Sequence, residues 1–250
     1  MSSKRVIKIA MLYPHEMNIY GDHGNLESLT HRAELYGLTV EQILYEPGDK
    51  FPSDADIVLG GGGQDSGQGK ITNDLMKIAP KLQKMASNGI PMLMICGLYQ
   101  LFGNYFLTGA GEKIPGIGIF DTYTEAGPAR LIGNIVTNWD GQQLVGYENH
   151  SGLTYLNAGQ KSFAAVIKGA GNNGEDNTEG ARTNNVFGSY LHGPILPKNT
   201  VLADELLSLA AGRKFGDKKL APRDDTAAKK LYILDELAAQ ARTIATERPR

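Results

Sequence analysis

The sequence predicts an α/β fold in which a mostly parallel sheet is flanked by helices and carries an antiparallel extension. In the first 106 residues, short apolar runs alternate with segments of helical periodicity, the order typical of parallel strands joined by crossover helices. Ile90–Ile95 is an unbroken apolar run, as expected of a strand buried on both faces. From Gly116 to about Val166, short strand-like pieces separated by Gly, Asn and Asp indicate antiparallel strands and loops.

The individual elements follow from hydrophobic periodicity and from turn residues. The predicted strands are Arg5–Tyr13, Leu38–Tyr45, Asp56–Leu59, Ile90–Ile95 and Val186–Leu191. The predicted helices are Glu27–Tyr36, Ile71–Ala86, Leu98–Phe106, Val201–Ala211 and Ala227–Thr246, and Ala170–Thr183 is predicted to be a polar loop. We predict one domain over residues 1–250, with a core over about 5–211 and a C-terminal helix over about 226–246.

Composition narrows the classes of function. A formal net charge of -2 argues against a protein that binds nucleic acid through its phosphates. The single cysteine, Cys96, excludes an intrachain disulfide and a multi-cysteine metal site, so no metal is expected. No apolar run approaches the roughly 20 residues that span a bilayer, and Lys8 interrupts the short N-terminal one, unlike a signal peptide. These features predict a cytoplasmic protein.

Cys96 lies between the apolar run Ile90–Ile95 and a predicted helix, at the carboxyl edge of the predicted sheet, where α/β proteins place their sites. A strand-to-helix turn would hold the thiol clear of the sheet, and the helix N-terminus would favour the thiolate. Gly97 leaves room for a tight backbone path. Cys96 is therefore a candidate nucleophile, although its position fits a small buried core cysteine equally well.

His192 follows the predicted strand Val186–Leu191 and precedes a Gly-Pro pair. A histidine at a strand end can meet a thiol at a neighbouring strand end, and a thiolate–imidazole pair is a standard means of activating cysteine near neutral pH. The alternative for His192 is a surface or capping histidine. The other histidines are His15, His23, His31 and His150.

Four consecutive glycines, Gly60–Gly63, follow a predicted strand and precede Gln64 and Asp65. A glycine run exposes backbone N–H groups, which bind a phosphate or stabilise an oxyanion. No Gly-Lys-Ser/Thr follows, so a Walker A phosphate loop is not predicted. A flexible surface turn is the remaining alternative.

Together these segments resemble the class I glutamine amidotransferases. Ile95–Gly103 (ICGLYQLFG) is similar to their nucleophile elbow, Gly60–Asp65 (GGGGQD) to their oxyanion loop, and Tyr190–Pro194 (YLHGP) to their histidine motif. The Cys-Gly-x-Tyr-Gln form is most similar to the cobyric-acid-synthase-like branch. The resemblance covers about Lys8–Leu209 and implies a class I amidotransferase-like, flavodoxin-like sheet.

Within that branch, the stretch Tyr20-Gly21-Asp22-x-Gly24-Asn25 and the run Glu148–Gly152 resemble the glutaminase subunits of lipid II isoglutaminyl synthases. The resemblance implies a heterodimer with a Mur-ligase-like synthetase that amidates D-glutamate of the lipid II stem peptide in peptidoglycan synthesis. It implies L-glutamine as this chain's substrate and no cofactor in it, with ATP and Mg²⁺ in the partner. Lipid II would be reached through the partner, near the inner face of the membrane. The chain has no Walker motif, which agrees with ligase chemistry in a partner.

The resemblance also implies the catalytic roles. Cys96 would attack the side-chain amide of glutamine, and His192 would protonate the leaving ammonia and then activate water to hydrolyse the thioester. Backbone N–H groups near Gly62 or Gly63, together with that of Gly97, would hold the oxyanion.

Two further residues are candidates for contacting the substrate. Arg130 would bind the α-carboxylate of glutamine, because a guanidinium binds a carboxylate through two parallel hydrogen bonds; the alternative is an ordinary surface arginine. Gln100 follows Cys96 by one helical turn and could instead be a structural hydrogen-bonding residue. His150 is expected to be a structural or substrate-loop histidine, and a catalytic role is the alternative.

The chain departs from the family pattern at two positions. Pro194 occupies the place where many class I amidotransferases carry a glutamate that orients the histidine. His192 would then be oriented by a backbone carbonyl or by an acid from elsewhere, and our hypothesis is a carboxylate donated by the partner subunit. Leu98 replaces a glycine common in relatives and is expected to narrow the mouth of the pocket.

Two alternative functions are consistent with the sequence. The chain could be a glutaminase subunit of another amide-forming synthetase, or a related cysteine hydrolase. It could also be a non-catalytic, amidotransferase-like binding or regulatory module. The presence of both Cys96 and His192 argues against the second alternative, because decayed relatives tend to lose one of them.

Overall fold

The computed structural model describes residues 5–217 and 219–248, apart from the side chain of Asp65. Its strands are β1 (Val6–Leu12), β2 (Thr39–Tyr45), β3 (Ile57–Gly60), β4 (Met92–Ile95), β5 (Tyr105–Leu107), β6 (Lys113–Pro115), β7 (Thr122–Trp139), β8 (Gln142–Leu156), β9 (Ala164–Lys168), β10 (Thr178–Glu179), β11 (Ala181–Thr183) and β12 (Val186–Ser189). Its helices are α1 (His23–Leu35), α2 (Asp65–Ser87), α3 (Gly97–Leu101), α4 (Ile195–Lys198), α5 (Thr200–Phe215) and α6 (Asp225–Glu247).

The main sheet has the strand order β2-β1-β3-β4-β12-β11. Its first five strands pair in parallel, and β11 is antiparallel to β12 at the edge. Strands β3, β4 and β12 are buried along their whole length, as the continuous apolar run of β4 predicts. The predicted α/β fold with a mostly parallel sheet is confirmed. The carboxyl ends of β3, β4 and β12 therefore lie side by side at one edge.

A second sheet forms the antiparallel extension. Strand β7 pairs antiparallel with β8 along one edge. Along the other edge it pairs parallel with β5 and antiparallel with β9. The ladder between β7 and β8 is interrupted between Ala126 and Leu131, where β7 bulges. The expectation of short strand pieces here is wrong. Polar residues and glycines are accommodated in two long strands because much of β8 alternates between buried and more exposed positions.

Several element boundaries also differ from the sequence prediction. Helix α3 ends at Leu101, not Phe106, because Gly103 packs against Thr122: a β-carbon on Gly103 would lie 2.5 Å from Thr122 Oγ1. Helices α1 and α2 begin earlier than predicted. The predicted polar loop Ala170–Thr183 contains β10 and β11, and Asn172 within it is fully buried.

One continuous cluster of buried apolar side chains packs against both sheets, from Ile9 and Met94 in the main sheet to Phe106 and Ile135 in the second. The prediction of a single domain over residues 1–250 stays a prediction. The C-terminal helix is joined to this body through Arg32 of α1, which is 2% exposed and ion-pairs with Asp204 of α5 and Asp235 of α6.

No helix among the described residues is both long enough and apolar enough to cross a membrane.

Candidate active site

Cys96 connects the end of β4 to the start of α3 in a strained conformation. Its φ of 49° and ψ of -104° place a non-glycine residue on the left-handed side of conformational space, which costs about 1–3 kcal/mol. Two hydrogen bonds hold this turn: the Cys96 N–H donates to Ser189 O at 2.8 Å, and the Gln100 N–H donates to Cys96 O at 2.9 Å. The backbone therefore turns sharply at the cysteine, as expected of a strand-to-helix elbow.

The glycine loop meets both Cys96 and His192. A β-carbon on Gly62 would lie 3.0 Å from His192 Cε1 and 3.1 Å from Cys96 Cβ, so a side chain at this position would crowd both. The three segments that the sequence singles out end on neighbouring strands β3, β4 and β12, and the structure brings them together at one edge of the main sheet.

The backbone N–H groups of Gly62 and Gly63 have different surroundings. The Gly62 N–H donates to Asp22 Oδ2 at 2.8 Å and is already used. The Gly63 nitrogen lies 3.2 Å from the position that a β-carbon on Gly97 would occupy. Gly97 is the first residue of α3, and first-turn N–H groups have no acceptor within their helix. Of the candidate oxyanion donors, Gly63 and Gly97 are thus the pair that lies together beside Cys96.

His192 is 1% exposed, and neither of its ring nitrogens has a hydrogen-bond partner within residues 5–217 and 219–248. The ring packs against Tyr20, with 4.4 Å between the ring centroids. Its backbone is fixed by Tyr147, whose carbonyl accepts the His192 N–H at 2.9 Å. The imidazole is therefore held by packing and by its backbone.

The surroundings of His192 favour the neutral imidazole. Burial, and to a lesser extent electrostatic interaction with His150, Arg130 and Lys198, lower the pKa of His192 to about 3. Lys198 also contacts the main chain of the histidine, since its Nζ donates to His192 O at 3.3 Å. A neutral imidazole can accept a proton, which is what a general base requires.

A cavity of about 520 Å³ opens beside Cys96, within the size range of small-molecule sites. None of its lining residues is an Asp or a Glu within the described part of the chain. They are Ile19, Tyr20, Gly63, Gln64, Ser66, Cys96, Gln100, Phe106, Arg130, Asn149, His150, Ser151 and Gly152.

Arg130 lies in the bulge of β7 and lines this cavity. Its Nε donates to Asn149 Oδ1 and its Nη2 to Asn149 O, both at 2.9 Å. Asn149 thus orients the guanidinium, whose planar fork is suited to a carboxylate.

Gln100 lines the cavity and also belongs to a buried hydrogen-bond network. Its Oε1 accepts from Gln68 Nε2 at 2.7 Å, and its Nε2 donates to Tyr190 OH at 3.0 Å. Tyr190 stacks on His150 with 3.6 Å between the ring centroids. The His150 Nδ1 donates to Gly152 O at 2.7 Å, because a carbonyl only accepts. Both histidine and glutamine are therefore rigidly placed at the cavity wall.

Two buried carboxylates near the site carry no signal in the sequence that would have identified them. Asp22 lies within the stretch Tyr20–Asn25 that resembles the family, but nothing in the sequence indicates a role for this residue. Glu179 belongs to the predicted polar loop, and it accepts hydrogen bonds from Ser189 Oγ at 2.6 Å and from Tyr190 N at 2.9 Å. Burial raises the pKa of Glu179 to about 7. It fixes the strand end that precedes His192.

The expectation that Leu98 narrows the mouth of the pocket is wrong. Leu98 is fully buried and packs against β3, where its Cδ1 occupies the space that a β-carbon on Gly60 would need. It points under the glycine loop and does not line the cavity.

We predict that the His192 imidazole of the chain alone stays neutral at pH 5 and above. Its folded pKa of about 3 lies below the ~6.5 of an unfolded chain, so between these values only the unfolded chain is protonated. Its contribution to stability therefore falls as the pH falls from about 6.5 to about 3. Imidazole ¹⁵N chemical shifts, assigned by loss of the signal in His192→Gln, measure this. Protonation between about pH 6 and 7 would contradict it.

Comparison with known proteins agrees with this geometry. Residues 8–200 match the CobB/CobQ-like glutamine amidotransferase domain. The chain is 39% identical over 223 residues to the glutamine-hydrolysing lipid II isoglutaminyl synthase subunit GatD of Staphylococcus aureus (strain N315), covering 87% of this chain and 91% of that protein. It is 40% identical over 214 residues to the subunit of the same name from Streptococcus pneumoniae (strain ATCC BAA-255 / R6), covering 84% and 82%.

A crystal structure of a glutamine amidotransferase has the same fold, with a TM-score of 0.56 at 15% identity, covering 81% of this chain and 98% of that one. The family match spans most of the chain, and it includes the glycine loop, the cysteine elbow and the histidine. The chain therefore belongs to the CobB/CobQ-like glutamine amidotransferase family and is a glutamine amidotransferase.

Proposed function

We propose that this chain is the glutaminase subunit of a lipid II isoglutaminyl synthase. It hydrolyses glutamine to glutamate and ammonia, and a Mur-ligase-like synthetase partner uses the ammonia to amidate D-glutamate of the stem peptide. The convergence of Cys96, the glycine loop and His192 beside one cavity carries the proposal of glutamine hydrolysis. The two GatD subunits, similar over most of this chain, support the acceptor and the partner.

In the first half of the reaction, His192 accepts the thiol proton of Cys96, and the thiolate attacks the side-chain carbonyl carbon of glutamine. The negative oxygen is stabilised by the N–H groups of Gly63 and Gly97. His192 then gives its proton to the amide nitrogen, the C–N bond breaks, and ammonia leaves a glutamyl thioester on Cys96. Because the imidazole is neutral at the start of the cycle, it can first accept the thiol proton and then donate it.

In the second half, water takes the place of ammonia. His192 removes a proton from this water as its oxygen adds to the thioester carbonyl, and the same oxyanion donors hold the intermediate. The C–S bond breaks, glutamate leaves, and the proton on His192 returns to the sulfur. We assign no cofactor to this chain, and ATP and Mg²⁺ belong to the partner in this proposal.

Arg130 binds the α-carboxylate of glutamine in this scheme. Its guanidinium lies on the cavity wall and is oriented by Asn149, so little rotamer freedom remains to be lost when substrate binds. Because the bulge of β7 carries Arg130 out of the regular ladder, the guanidinium is brought to the cavity of Cys96.

The partner donates a carboxylate to His192 in this proposal. Both ring nitrogens are free of hydrogen bonds to the described residues, and His150, Arg130 and Lys198 disfavour the charged imidazole, an effect that an incoming acid would offset. Exposed apolar side chains lie near this edge: Ile19 is 47% exposed and Tyr147, which pairs with the His192 backbone, is 40% exposed. They would pack against the docked synthetase.

A carboxylate donated by the partner predicts that the chain alone releases glutamate at least about tenfold more slowly than the complex, a difference of roughly 1.4 kcal/mol in the barrier. The missing acid would otherwise orient the imidazole and stabilise its charged form. Steady-state glutamate release by the chain with and without the synthetase measures the effect. Equal rates would refute the donated carboxylate but leave the glutaminase proposal intact.

We expect Cys96→Ala to abolish release of glutamate and ammonia, because no thioester can form. Radiolabelled glutamine mixed with the wild-type chain and quenched in acid should leave label on the protein, and Cys96→Ala should leave none. Glutamine binding by calorimetry is the control for folding of the variant. Unchanged release by Cys96→Ala would refute the mechanism. Conversion of the lipid II α-carboxyl to an amide by the complex, read by mass spectrometry, tests the acceptor.

We expect Gly62→Ala to lower kcat by ~10² or more, because the new methyl group would crowd His192 and Cys96 and displace the catalytic pair. Gly69→Ala is the matched control. Gly69 lies in α2 with nothing within 4 Å of the β-carbon that alanine would add, so the change should leave kcat unaltered and stabilise the fold by about 0.5–1 kcal/mol. Equal activity of the two variants would contradict the arrangement.

A further inference from the structure

The stretch Tyr20-Gly21-Asp22-x-Gly24-Asn25 contacts both the glycine loop and the histidine of the site. Asp22 accepts the N–H of Gly62 in the glycine loop, and Tyr20 packs on the ring of His192. Asn25 Oδ1 accepts the N–H of Leu196 at 3.0 Å, just after the histidine loop. One short segment at the start of α1 thus supports the glycine loop and the histidine together. The proposed mechanism assigns this segment no role.

Asp22 is the charged member of this segment. It is 1% exposed, its Oδ2 accepts the Gly62 N–H at 2.8 Å, and its Oδ1 is buried without a hydrogen-bond partner in the part of the chain that is described. A β-carbon on Gly61 would lie 2.8 Å from Asp22 Cβ, so the loop passes directly over the aspartate. A carboxylate buried with one hydrogen bond is costly, and such groups are usually retained for a function.

The geometry of the next peptide links Asp22 to the oxyanion. The Gly62 carbonyl accepts the Ile19 N–H at 3.1 Å, so both polar groups of Gly62 are held by the same segment. In a trans peptide, the C=O of one residue and the N–H of the next point in opposite directions. The Gly63 N–H therefore points away from Ile19, and the Gly63 nitrogen lies on the side of Gly97.

We infer that Asp22 is a positioning residue for the oxyanion site: its carboxylate holds Gly62, so that the Gly63 N–H stays directed at the oxyanion of the Cys96 adduct. This inference rests on the proposed glutaminase function. The ionised carboxylate is the stronger acceptor and holds the loop more firmly than the protonated acid. Loss of the carboxylate frees the loop to rotate and removes one oxyanion donor.

The carboxyl group of Asp22 also makes the positioning of the Gly63 N–H depend on pH. Burial raises its pKa to about 6, and the Gly62 N–H opposes that rise. Across Gly62 it faces Cys96 and His192, and its own segment adds Tyr20 and His23. Since His192 of the chain alone stays neutral in this range, protonation of Asp22 should lower kcat of the chain alone as the pH falls through about 6.

The test compares Asp22→Ala and Asp22→Asn in the full chain without its synthetase partner, so that no partner carboxylate acts on His192, by glutamate release from pH 5 to 8. Asp22→Ala should lower kcat by ~10²–10³, the cost of one oxyanion donor, with KM changed less than about threefold. Asp22→Asn keeps an acceptor for Gly62, so kcat at pH 8 should fall less than about tenfold. In Asp22→Asn, the acid limb of the pH profile, which is the fall in kcat as the pH drops through about 6, should be absent.

Asp74→Asn is the matched control, because Asp74 also accepts a backbone N–H, from Gly48, and two tyrosine hydroxyls. This variant should keep the wild-type acid limb. Wild-type kcat in Asp22→Ala, or an unchanged acid limb in Asp22→Asn, would overturn the inference. If Asp22→Ala does not fold, the pH profile of Asp22→Asn decides alone. An inactive wild-type complex would instead refute the proposed function.

Discussion

The backbone of Cys96 is the constraint on which the site depends. A cysteine at φ 49° persists only because its neighbours fix it from both sides, through Ser189 of β12 and through the first turn of α3. The Leu98 N–H reaches the Gly61 carbonyl at 3.3 Å, which ties the glycine loop to the same turn. Three neighbouring strand ends therefore determine one another's geometry, and none can move alone.

Burial and charge act together on the histidine. In water an imidazole is partly protonated near neutral pH, whereas here exclusion of water and nearby cations keep it neutral. In the proposed mechanism, a neutral base beside a thiol can take the thiol proton during the attack. An acid from a partner would offset the effect of these cations and stabilise the imidazolium. The same electrostatic interaction would then favour both docking of the partner and catalysis.

The parallel sheet, and the meeting of Cys96, the glycine loop and His192 at one sheet edge, could be predicted from the sequence, because each segment has a local signature: an apolar run ending in Cys96, glycines after a strand, and His192 after another. Asp22 and Glu179 have no such signature. Their roles come from backbone groups distant in the chain, Gly62 and Tyr190, that only the fold brings near. The position of Leu98 was equally hard to predict, because Leu98 lies in α3 and packs against Gly60 at the end of β3, which is distant in the chain.

The residues that lower the pKa of His192 have a consequence for the product. Ammonia is itself a base, and once protonated it has no lone pair with which to attack an activated carboxyl. Arg130, His150 and Lys198, which disfavour a charge on the imidazole, disfavour a charge on nitrogen released beside it for the same Coulombic reason. The site that cuts the amide would thus also deliver the nitrogen in its nucleophilic form.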